Sequence, residues 1–391
     1  MKNPVYIASY ARTPIGSFGG KLSLYSATDL GAHAIKAAML KCNIPPADIN
    51  EVIMGNVLSA GLGQNPARQA ALKAGLNQHT ICTTVNKVCA SGMKALMYAA
   101  QSISLSYAHV VAAGGMESMS NVPYYLHHHR SGHKLGHEQL TDGVIHDGLW
   151  DAHHNYHMGN AAENTAKKYN ITRNMQDEYA ALSYNKAIEA HRSGVLNHEI
   201  SPTLLSAKST ETYGYDEELE KVNFDKIPTL KPVFDSEGTI TAANASSLND
   251  GAAAMILASE EAVNRLNIKP LARIISFADA EQAPEWFTTS PSKAIPTALQ
   301  RANLTHNDID YYEINEAFAV VSIANNMLME LNPDCVNIYG GAVSVGHPLG
   351  TSGARIVCTL LTALLQNNKK YGVSAICNGG GGASAMILEK L

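Results

Sequence analysis

The apolar positions of this chain fall into short continuous runs that end in glycines. Residues 110–115 (VVAAGG) and 373–379 (VSAICNG) are the clearest examples, and residues 5–8 (VYIA) are also strand-like. Helical patterns of small residues, at 91–96 and 352–357, precede the first two runs. Continuous apolar strands that alternate with helices are typical of parallel sheets covered by helices, so the pattern predicts an α/β fold.

The pattern occurs twice, which indicates a distant internal duplication. Residues 47–56 (ADINEVIMGN) resemble residues 307–315 (NDIDYYEIN), and each segment leads to a turn, a helix and a buried strand. Two similar halves would place their strand ends on a shared face, where ligands bind in such sheets. We therefore expect one half at 1–118 plus 249–270, the other at 271–391, and one active site built from both.

Residues 119–248 interrupt this pattern. They are richer in His, Asn, Tyr and charged residues, have few buried-strand runs, and show amphipathic helix signals at 160–168 and 173–193. A segment of this length is too long for a structureless loop in a compact protein. We expect an inserted loop domain that lies over the site.

Composition limits the classes of function. The 391 residues contain 46% hydrophobic and 16% charged residues with a net charge of -5, which argues against broad nucleic-acid binding. No apolar run approaches membrane-spanning length and no targeting segment is evident, so no membrane association and a cytoplasmic location are expected. The six cysteines include no C-x-x-C pair. Four of them are interpreted as small buried core residues: Cys42, Cys82, Cys335 and Cys358.

The other two cysteines carry the candidate chemistry. Cys89 lies in the turn 85–93, just before a helical pattern, and Cys377 opens the glycine-rich turn 377–384, with His347 between them. A helix N-terminus favours a thiolate, and backbone N–H groups of the turn can stabilise an oxyanion. For Cys89 alone a buried structural cysteine would be the simpler interpretation. A phosphate-binding loop that begins at Gly379 and ends at residue 382 is a weaker interpretation than a catalytic turn, because no Lys-Ser/Thr follows as a P-loop requires.

Four blocks of sequence resemble the thiolase family. They are 86–92 (NKVCASG), 315–319 (NEAFA), 340–348 (GGAVSVGHP) and 377–382 (CNGGGG), and the resemblance runs in order from about residue 5 to 391. It implies a thiolase fold, in which two duplicated βαβ-type halves form α-β-α-β-α layers with an inserted loop domain.

The resemblance implies a role for each residue of the site. Cys89 attacks an acyl-CoA and carries the acyl group as a thioester. His347 takes the proton of Cys89 and then helps to hold a thioester oxygen, while Cys377 removes the α-proton of the second acetyl-CoA. Asn315 holds a water that completes one oxyanion hole, and the backbone N–H groups of Cys89 and Gly379 form the other. The neighbouring Glu316 is given the structural role of orienting the loop.

Coenzyme A binding is implied at four further positions. His157 and Met158 resemble residues that line the pantetheine tunnel, and Ser246 resembles a serine that contacts the same arm. Lys221 falls where relatives place an arginine near the adenine and phosphates, although a solvated surface charge is the alternative.

Nine of the 16 histidines lie between His127 and His157. An exposed polar loop is preferred there over a metal site, and no metal or covalently bound cofactor is expected.

The segments 116–124, 242–246 and 287–291 look most like acetoacetyl-CoA thiolases, the last resembling cytosolic members. The implied activity is an acetyl-CoA C-acetyltransferase, which reversibly joins two acetyl-CoA into acetoacetyl-CoA and CoA. A bulky pair, Trp286 and Phe287, would favour short acyl groups near the pocket, unless it is ordinary interface packing. The alternatives are a degradative 3-ketoacyl-CoA thiolase of broader chain length and a non-catalytic acyl-CoA or lipid carrier. A ketoacyl synthase is disfavoured, because that group has a histidine where Cys377 stands.

Two further expectations follow from the resemblance. Potassium-activated members carry a tyrosine near position 219, where this chain has Leu219, so a potassium site is doubtful. The family's assembly implies a homotetramer, a dimer of dimers with contacts through the loop domain.

Overall fold

Sixteen strands and ten helices form in residues 2–205 and 209–391, the parts of the chain that the computed structural model describes. The strands are β1 Val5–Arg12, β2 Gly16–Ser17, β3 Glu51–Gly55, β4 Ile81–Val85, β5 Val110–Ser118, β6 Tyr124–Leu126, β7 Leu140–Asp142, β8 Trp150–Asp151, β9 Tyr156–His157, β10 Thr203–Leu204, β11 Thr212–Tyr213, β12 Asn249–Ser259, β13 Ala272–Glu281, β14 Tyr311–Ile314, β15 Tyr371–Asn378 and β16 Gly382–Lys390. The helices are α1 Ala27–Cys42, α2 Pro66–Lys73, α3 Ser91–Ser104, α4 Met158–Lys168, α5 Arg173–Arg192, α6 Glu260–Arg265, α7 Pro291–Ala302, α8 Ala319–Met329, α9 Ala342–Val345 and α10 Leu349–Gln366.

One large mixed sheet runs through both halves. Its order is β14-β15-β16-β13-β1-β12-β5-β3-β4, with β2 paired to β12. Each half contains parallel pairs, as predicted: β14–β15 in one, β3–β4 and β3–β5 in the other. The remaining pairs of the large sheet are antiparallel, so the sheet is mixed and not wholly parallel. The physical reason is clear at β15–β16: residues 379–381 are too few for the crossover that parallel strands require. Gly380 and Gly381 close that connection at φ +87° and +93°, which side chains rarely adopt.

The two halves repeat one another in detail. A 3₁₀ turn precedes β3 in one half and β14 in the other, as the similar segments around 48 and 308 suggest. Both β1 and β13 also carry a register shift, just before Ser9 and Ser276. Each of these serines donates its hydroxyl to a helix carbonyl at 2.6 Å, Ala38 and Ala298 respectively. The internal duplication is therefore visible in the structure as well as in the sequence.

The two halves of the large sheet form two layers, and the helices between and outside them bring the total to five layers. One core cluster places α3 and α10 against side chains from both halves of the sheet, while separate clusters cover the outer faces with α1 and α2 on one side and α7 on the other. The inner helices approach closely: a Cβ on Gly353 would lie 2.5 Å from the backbone nitrogen of Met93. This central pair fixes the positions of the Cys89 turn, which leads into α3, and the His347 turn, which leads into α10.

The helix α10 is long and apolar enough to cross a membrane. This differs from the expectation that no apolar run approaches that length. Its residues are almost entirely buried between the two halves of the sheet, as in a core helix. Among the described residues it is the one helix of this kind.

The segment between β5 and β12 adds no strand to the large sheet in its described part. It holds α4 and α5 within about two residues of the predicted helices, together with three small two-stranded sheets. A buried ion cluster attaches it to β1: Arg12 contacts Glu199 at 2.6 Å and Asp216 at 2.7 Å. The division into 1–118 plus 249–270, 119–248 and 271–391 stays a prediction.

Candidate active site

The turn that carries Cys89 is held in a strained backbone conformation. Val88, the residue before it, has φ +47°, a region that β-branched residues rarely occupy. Side chains on both sides fix it: Asn86 Oδ1 accepts from the Val88 N–H at 2.9 Å, and Ser91 Oγ donates to the Val88 carbonyl at 2.6 Å. This conformation directs the Cys89 side chain into a cavity rather than along the helix.

Burial raises the pKa of the Cys89 thiol to about 11 in the absence of ligand. The backbone N–H groups of Gly379 and of Cys89 itself donate toward the sulfur and oppose this rise. Desolvation is the larger effect, so it opposes the stabilisation of the thiolate that the helix start is expected to give. The same two N–H groups converge on one point, as an oxyanion hole requires.

The histidine turn presents one defined nitrogen to the cavity. His347 Nδ1 lies 2.6 Å from Ser352 Oγ, and that hydroxyl donates to the Pro348 carbonyl at 2.9 Å. Since the hydroxyl has one proton, it accepts from Nδ1–H, which leaves the lone pair on Nε2. Burial, assisted by the charge of Arg355, lowers the pKa of His347 to about 3, so the ring is neutral.

Asn315 lies beside His347 at the end of β14. Its Nδ2 is 3.4 Å from His347 Nε2, and its backbone N–H donates to the Ala375 carbonyl of β15 at 2.9 Å. The next residue, Glu316, is buried with both oxygens occupied. Its partners are Tyr179 at 2.8 Å, Ser183 at 2.7 Å, Asn337 at 2.9 Å and the Val343 N–H at 3.1 Å. These bonds make Glu316 an anchor of the loop rather than a free base.

Cys377 is fully buried near the end of β15. It does not line the cavity itself but packs in one cluster with the lining residues Met158, Phe287 and Phe318. Burial raises its pKa well above the usual range, and the proximity of Cys89 raises it further. Two neutral thiols and a neutral imidazole therefore lie close together in the ligand-free site. Such a site can hold and pass protons once a substrate changes the local charge.

A cavity of about 400 Å³ opens at Cys89 and His347, whereas Asn315 and Cys377 do not line it. Cys89, His347, Gly379, Met158 and Ser246 all line it. The N-terminal half, the C-terminal half and the segment 119–248 thus each contribute, which agrees with a single site built from both halves. Most of the remaining wall is apolar and suits a long thin ligand: Met119, Leu149, Phe234, Leu248, Phe287, Phe318 and Leu349.

His157 lines the same cavity and also begins α4. Its Nδ1 accepts from the Gly159 N–H at 3.1 Å, and its ring stacks on Phe234 with centroids 4.6 Å apart. Ser246 donates its hydroxyl to the Ala317 carbonyl at 2.8 Å, which ties the ligand wall to the loop that holds Asn315.

Two predicted positions, Lys221 and Trp286, lie outside the cavity. Lys221 is outside the cavity, on an adjoining hollow, and lies 3.9 Å from both Glu217 and Glu218. Trp286 does not line the cavity, because its ring packs against the Lys168 ammonium at 3.9 Å; Phe287 alone does so.

The remaining cysteines and histidines give a mixed result. Cys358 is buried as expected, but Cys42, Cys82 and Cys335 are partly exposed, because they lie at the ends of elements. All six cysteines are free thiols. In residues 2–205 and 209–391, no cluster of three or more His, Cys, Asp or Glu side chains could hold a metal ion.

Sequence reasoning missed several functional contacts. Ser352, which fixes the tautomer of His347, stands five residues after it and belongs to no motif spacing that marks such a role. Phe234 stacks on His157 although 77 positions separate them in the chain. The strained φ of Val88 has no signal in the sequence at all.

Comparisons with known proteins agree with this architecture. The family model described as thiolase, N-terminal domain, matches residues 5–261, and that described as thiolase, C-terminal domain, matches residues 268–390. An acetyl-CoA acetyltransferase of Schizosaccharomyces pombe is 52% identical over 390 residues, covering 99% of each chain. A mitochondrial acetyl-CoA acetyltransferase of Bos taurus is 53% identical, covering 100% of this chain and 92% of its own.

Solved structures show the same fold. A thiolase from Ascaris suum in complex with coenzyme A superposes with a TM-score of 0.94 at 46% identity, covering 99% of this chain and 100% of its own. Human mitochondrial 3-ketoacyl-CoA thiolase in complex with CoA gives 0.96 at 37% identity, covering 100% and 98%. Because matches to both halves span nearly every residue, the chain belongs to the thiolase family.

Proposed function

We propose that this protein is an acetyl-CoA C-acetyltransferase that reversibly converts two acetyl-CoA into acetoacetyl-CoA and CoA. The observation that carries the proposal is the meeting of Cys89, His347 and the Gly379 N–H at one cavity, with Cys377 directly behind it. Thioester exchange needs a nucleophilic thiol, and carbon–carbon bond formation needs a second base and donors for the enolate oxygen.

In the first half-reaction, Cys89 attacks the carbonyl of an acetyl-CoA. Its proton passes to His347 Nε2, the nitrogen that the contact with Ser352 leaves unprotonated. The backbone N–H groups of Cys89 and Gly379 stabilise the oxyanion, and the departing CoA sulfur takes up the proton. An acetyl group then remains on Cys89 as a thioester.

In the second half-reaction, Cys377 removes an α-proton from another acetyl-CoA. Only the thiolate of Cys377 can act as this base, so its own proton first passes to His347 Nε2 and returns to the Cys89 sulfur when the carbon–carbon bond forms. Burial, which raises the pKa of Cys377, makes that thiolate a strong base. The enolate oxygen is held by His347 Nε2–H and by a water on Asn315. Attack of the enolate carbon on the Cys89 thioester gives acetoacetyl-CoA and frees the thiol.

The coenzyme A arm is proposed to run along His157, Met158 and Ser246. Lys221 belongs to the adjoining hollow, which meets the cavity at Ala242, so it can face the nucleotide end of the ligand. Its neighbours Glu217 and Glu218 partly neutralise its charge, and its contribution to affinity is therefore expected to be small.

The proposal is tested by CoA-dependent cleavage of acetoacetyl-CoA beside 3-ketoacyl-CoAs of increasing chain length. Preference for the four-carbon substrate supports it. Comparable turnover of long chains would instead support a degradative 3-ketoacyl-CoA thiolase, and absence of all turnover would support a carrier.

We further propose a homotetramer in the cytoplasm. Exposed apolar side chains on the segment 124–140 support an interface there: Tyr124, Leu126, Leu135 and Leu140. Light scattering should give about four times the mass of one chain.

The relatives include a mitochondrial protein, so imaging of the tagged full-length chain decides the compartment.

Potassium is proposed to have no effect on activity. Leu219 is buried in an apolar cluster with Tyr184, Val343 and Val345 and offers no oxygen ligand from its side chain. Rates in potassium and sodium buffers of equal ionic strength should agree.

A further inference from the structure

We propose that Arg355 is a positioning residue, which fixes the side-chain amide of Asn315 so that its NH₂ group faces His347 and the reacting enolate. The inference rests on the proposed function and assigns a role to Arg355, a buried arginine beside Glu313 that the mechanism above does not use.

The pair lies directly behind the site. Arg355 on α10 is 2% exposed and Glu313 on β14 is 1% exposed, and their side chains approach to 3.9 Å. A second guanidinium nitrogen of Arg355 donates to Asn315 Oδ1 at 3.4 Å. Asn315 in turn reaches His347 Nε2 with its Nδ2 at 3.4 Å. The four side chains therefore form a continuous series that ends at the nitrogen that handles the proton.

Hydrogen-bonding capacity allows one orientation of the amide. A guanidinium group has donors only, so the side of Asn315 that faces Arg355 must be the oxygen. The NH₂ group is then on the opposite side, toward the unprotonated Nε2 of His347. In the flipped amide, NH₂ would face the donors of Arg355, and a carbonyl oxygen would face the lone pair of Nε2.

Glu313 faces the guanidinium of Arg355 without a hydrogen bond to it. Within the described residues neither of its carboxylate oxygens accepts a hydrogen bond, and Arg355 is its nearest opposite charge. Burial raises the pKa of Glu313 to about 8, so this carboxyl group is largely protonated near neutral pH and compensates little of the buried charge of Arg355. A buried guanidinium with so little compensation is poorly explained by stability alone. Placement of the Asn315 amide gives it a function.

The expected consequence is specific to one half-reaction. Acetylation of Cys89 uses the N–H groups of Cys89 and Gly379, which Arg355 does not contact. It also uses the lone pair of His347 Nε2, which loss of the Arg355 charge would make more basic rather than less. Enolate formation uses the donors at His347 and Asn315. Loss of Arg355 should therefore slow condensation and thiolysis far more than it slows the transfer of acetyl to Cys89.

The test compares Arg355→Met, Asn315→Ala and the double variant in the full-length enzyme. For Arg355→Met, kcat for acetoacetyl-CoA thiolysis should fall about 10²-fold, the effect of one misplaced oxyanion donor, while KM changes little. Cys89 acetylation, followed by intact mass, should stay near the wild-type rate. The double variant should be no slower than Asn315→Ala alone, because Arg355 acts through Asn315.

Two controls keep the result decisive. Arg273→Met removes a partly exposed arginine that pairs with Glu389 on the sheet, and it should leave kcat unchanged. If Arg355→Met does not fold, Arg355→Lys replaces it: a lysine keeps the charge but not the planar fork, so an intermediate kcat is expected. It should likewise cause no further loss in the Asn315→Ala background.

Wild-type kcat in a folded Arg355 variant would overturn the inference, and so would losses that multiply in the double variant. Those results would leave the proposed function intact if the wild type cleaves acetoacetyl-CoA. Absence of turnover in the wild type would overturn both.

Discussion

Cys89 combines a strained turn with a buried thiol, and the two properties act in opposite directions. Two backbone N–H groups, its own and that of Gly379 in the turn after β15, point at the sulfur and favour negative charge there, while burial raises the pKa of the thiol to about 11. Because His347 is neutral and its Nε2 is free, the proton can leave when an acyl-CoA fills the cavity. The free enzyme should therefore be much less reactive than a typical catalytic cysteine.

Alkylation of Cys89 by iodoacetamide tests this directly. With a pKa near 11, only about 10⁻⁴ of the thiol is ionised at pH 7, so the rate should rise steadily up to pH 10 without a plateau. Mass spectrometry of the modified peptide measures the rate at each pH. A plateau at or below pH 8 would show that the ligand-free site already holds a thiolate.

Cys377→Ala should separate the two half-reactions. The variant should still take one acetyl group from acetyl-CoA onto Cys89, since Cys377 does not contact the first oxyanion hole. It should lose about 10²- to 10⁴-fold in condensation and in exchange of the acetyl-CoA methyl protons with deuterium from solvent, because the base is gone. Cys358→Ala, a buried thiol on α10 outside the cavity, is the matched control and should retain both activities. Normal exchange in Cys377→Ala would remove the base assignment.

Individual residues differ in how far their sequence reveals them. Cys89, His347 and Cys377 stand in turns that match the blocks of the thiolase family, so their proximity could be predicted, and the structure places Cys89 and His347 on one cavity. Their catalytic roles stay predictions. The contact of Ser352 with His347 Nδ1 depends on the first turn of α10, and the direction of Trp286 depends on Lys168 from another helix. Such contacts depend on packing, which residue type alone does not determine.

At the scale of elements, the crossing of α3 and α10 holds the active-site turns together. Gly92 and Gly353 allow this approach, since a Cβ on either would meet backbone atoms of the other helix within 3 Å. Neither glycine has an unusual backbone conformation, so close packing is the reason for their presence.

Gly353→Ala should destabilise the protein by about 1–3 kcal/mol, although alanine is the better helix former by about 1 kcal/mol. The added methyl would lie 2.5 Å from the Met93 nitrogen, and backbone cannot move aside as a flexible side chain can. Thermal or chemical unfolding measures the change. Lys36→Ala, at an exposed site on α1, should change stability by less than about 0.5 kcal/mol. A stabilised Gly353→Ala would mean that the two helices lie further apart than described.

Element types were easier to predict than sheet directions. The runs at 110–115 and 373–379 are strands, and the patterns at 160–168 and 173–193 are helices. The antiparallel pairs escaped prediction, because a buried central strand is apolar on both faces whether its neighbours are parallel or not. The short connection between β15 and β16 was the available sequence signal for an antiparallel pair. A glycine-rich segment of that length is equally typical of a catalytic turn.

At the scale of the whole molecule, buried charges attach the segment 119–248 to the core. Arg12 on β1 contacts Asp216 and Glu199, and Glu199 also accepts from Thr362 of α10 at 2.7 Å. His191 of α5 lies 2.9 Å from the same Asp216. A fully paired cluster at this position holds the cover of the cavity in register with the two halves.

Asp216→Asn should therefore cost about 3–5 kcal/mol, because it leaves Arg12 buried with less compensation. The pKa of Asp216 is lowered, chiefly by Arg12 against the opposing effect of burial, so its contribution is present above the unfolded pKa of about 4. It is lost as the pH falls below that value toward the folded pKa. The stability difference from wild type should be constant from pH 5 to 8 and shrink below pH 4.

Glu189→Gln, which breaks an exposed pair with Arg192, serves as the control and should have little effect. A loss under 1 kcal/mol in Asp216→Asn would show that the cluster does not hold the segment in place.

The duplicated plan of the molecule could be read from the sequence, because two segments repeat the same order of turn, helix and strand. The cluster around Arg12 could not, since its members come from residues 12, 199 and 216 and none stands in a recognisable motif. Long-range charge pairing of this kind has no local pattern.

The central claim is that Cys89 carries an acetyl group between two coenzyme A thioesters. The most direct measurement is the intact mass of the protein after brief mixing with acetyl-CoA, followed by peptide mapping and a chase with CoA. We predict one added acetyl group, located on Cys89, absent in Cys89→Ala and removed by the chase. An unmodified protein, or an acetyl group that stays in Cys89→Ala, would contradict the account.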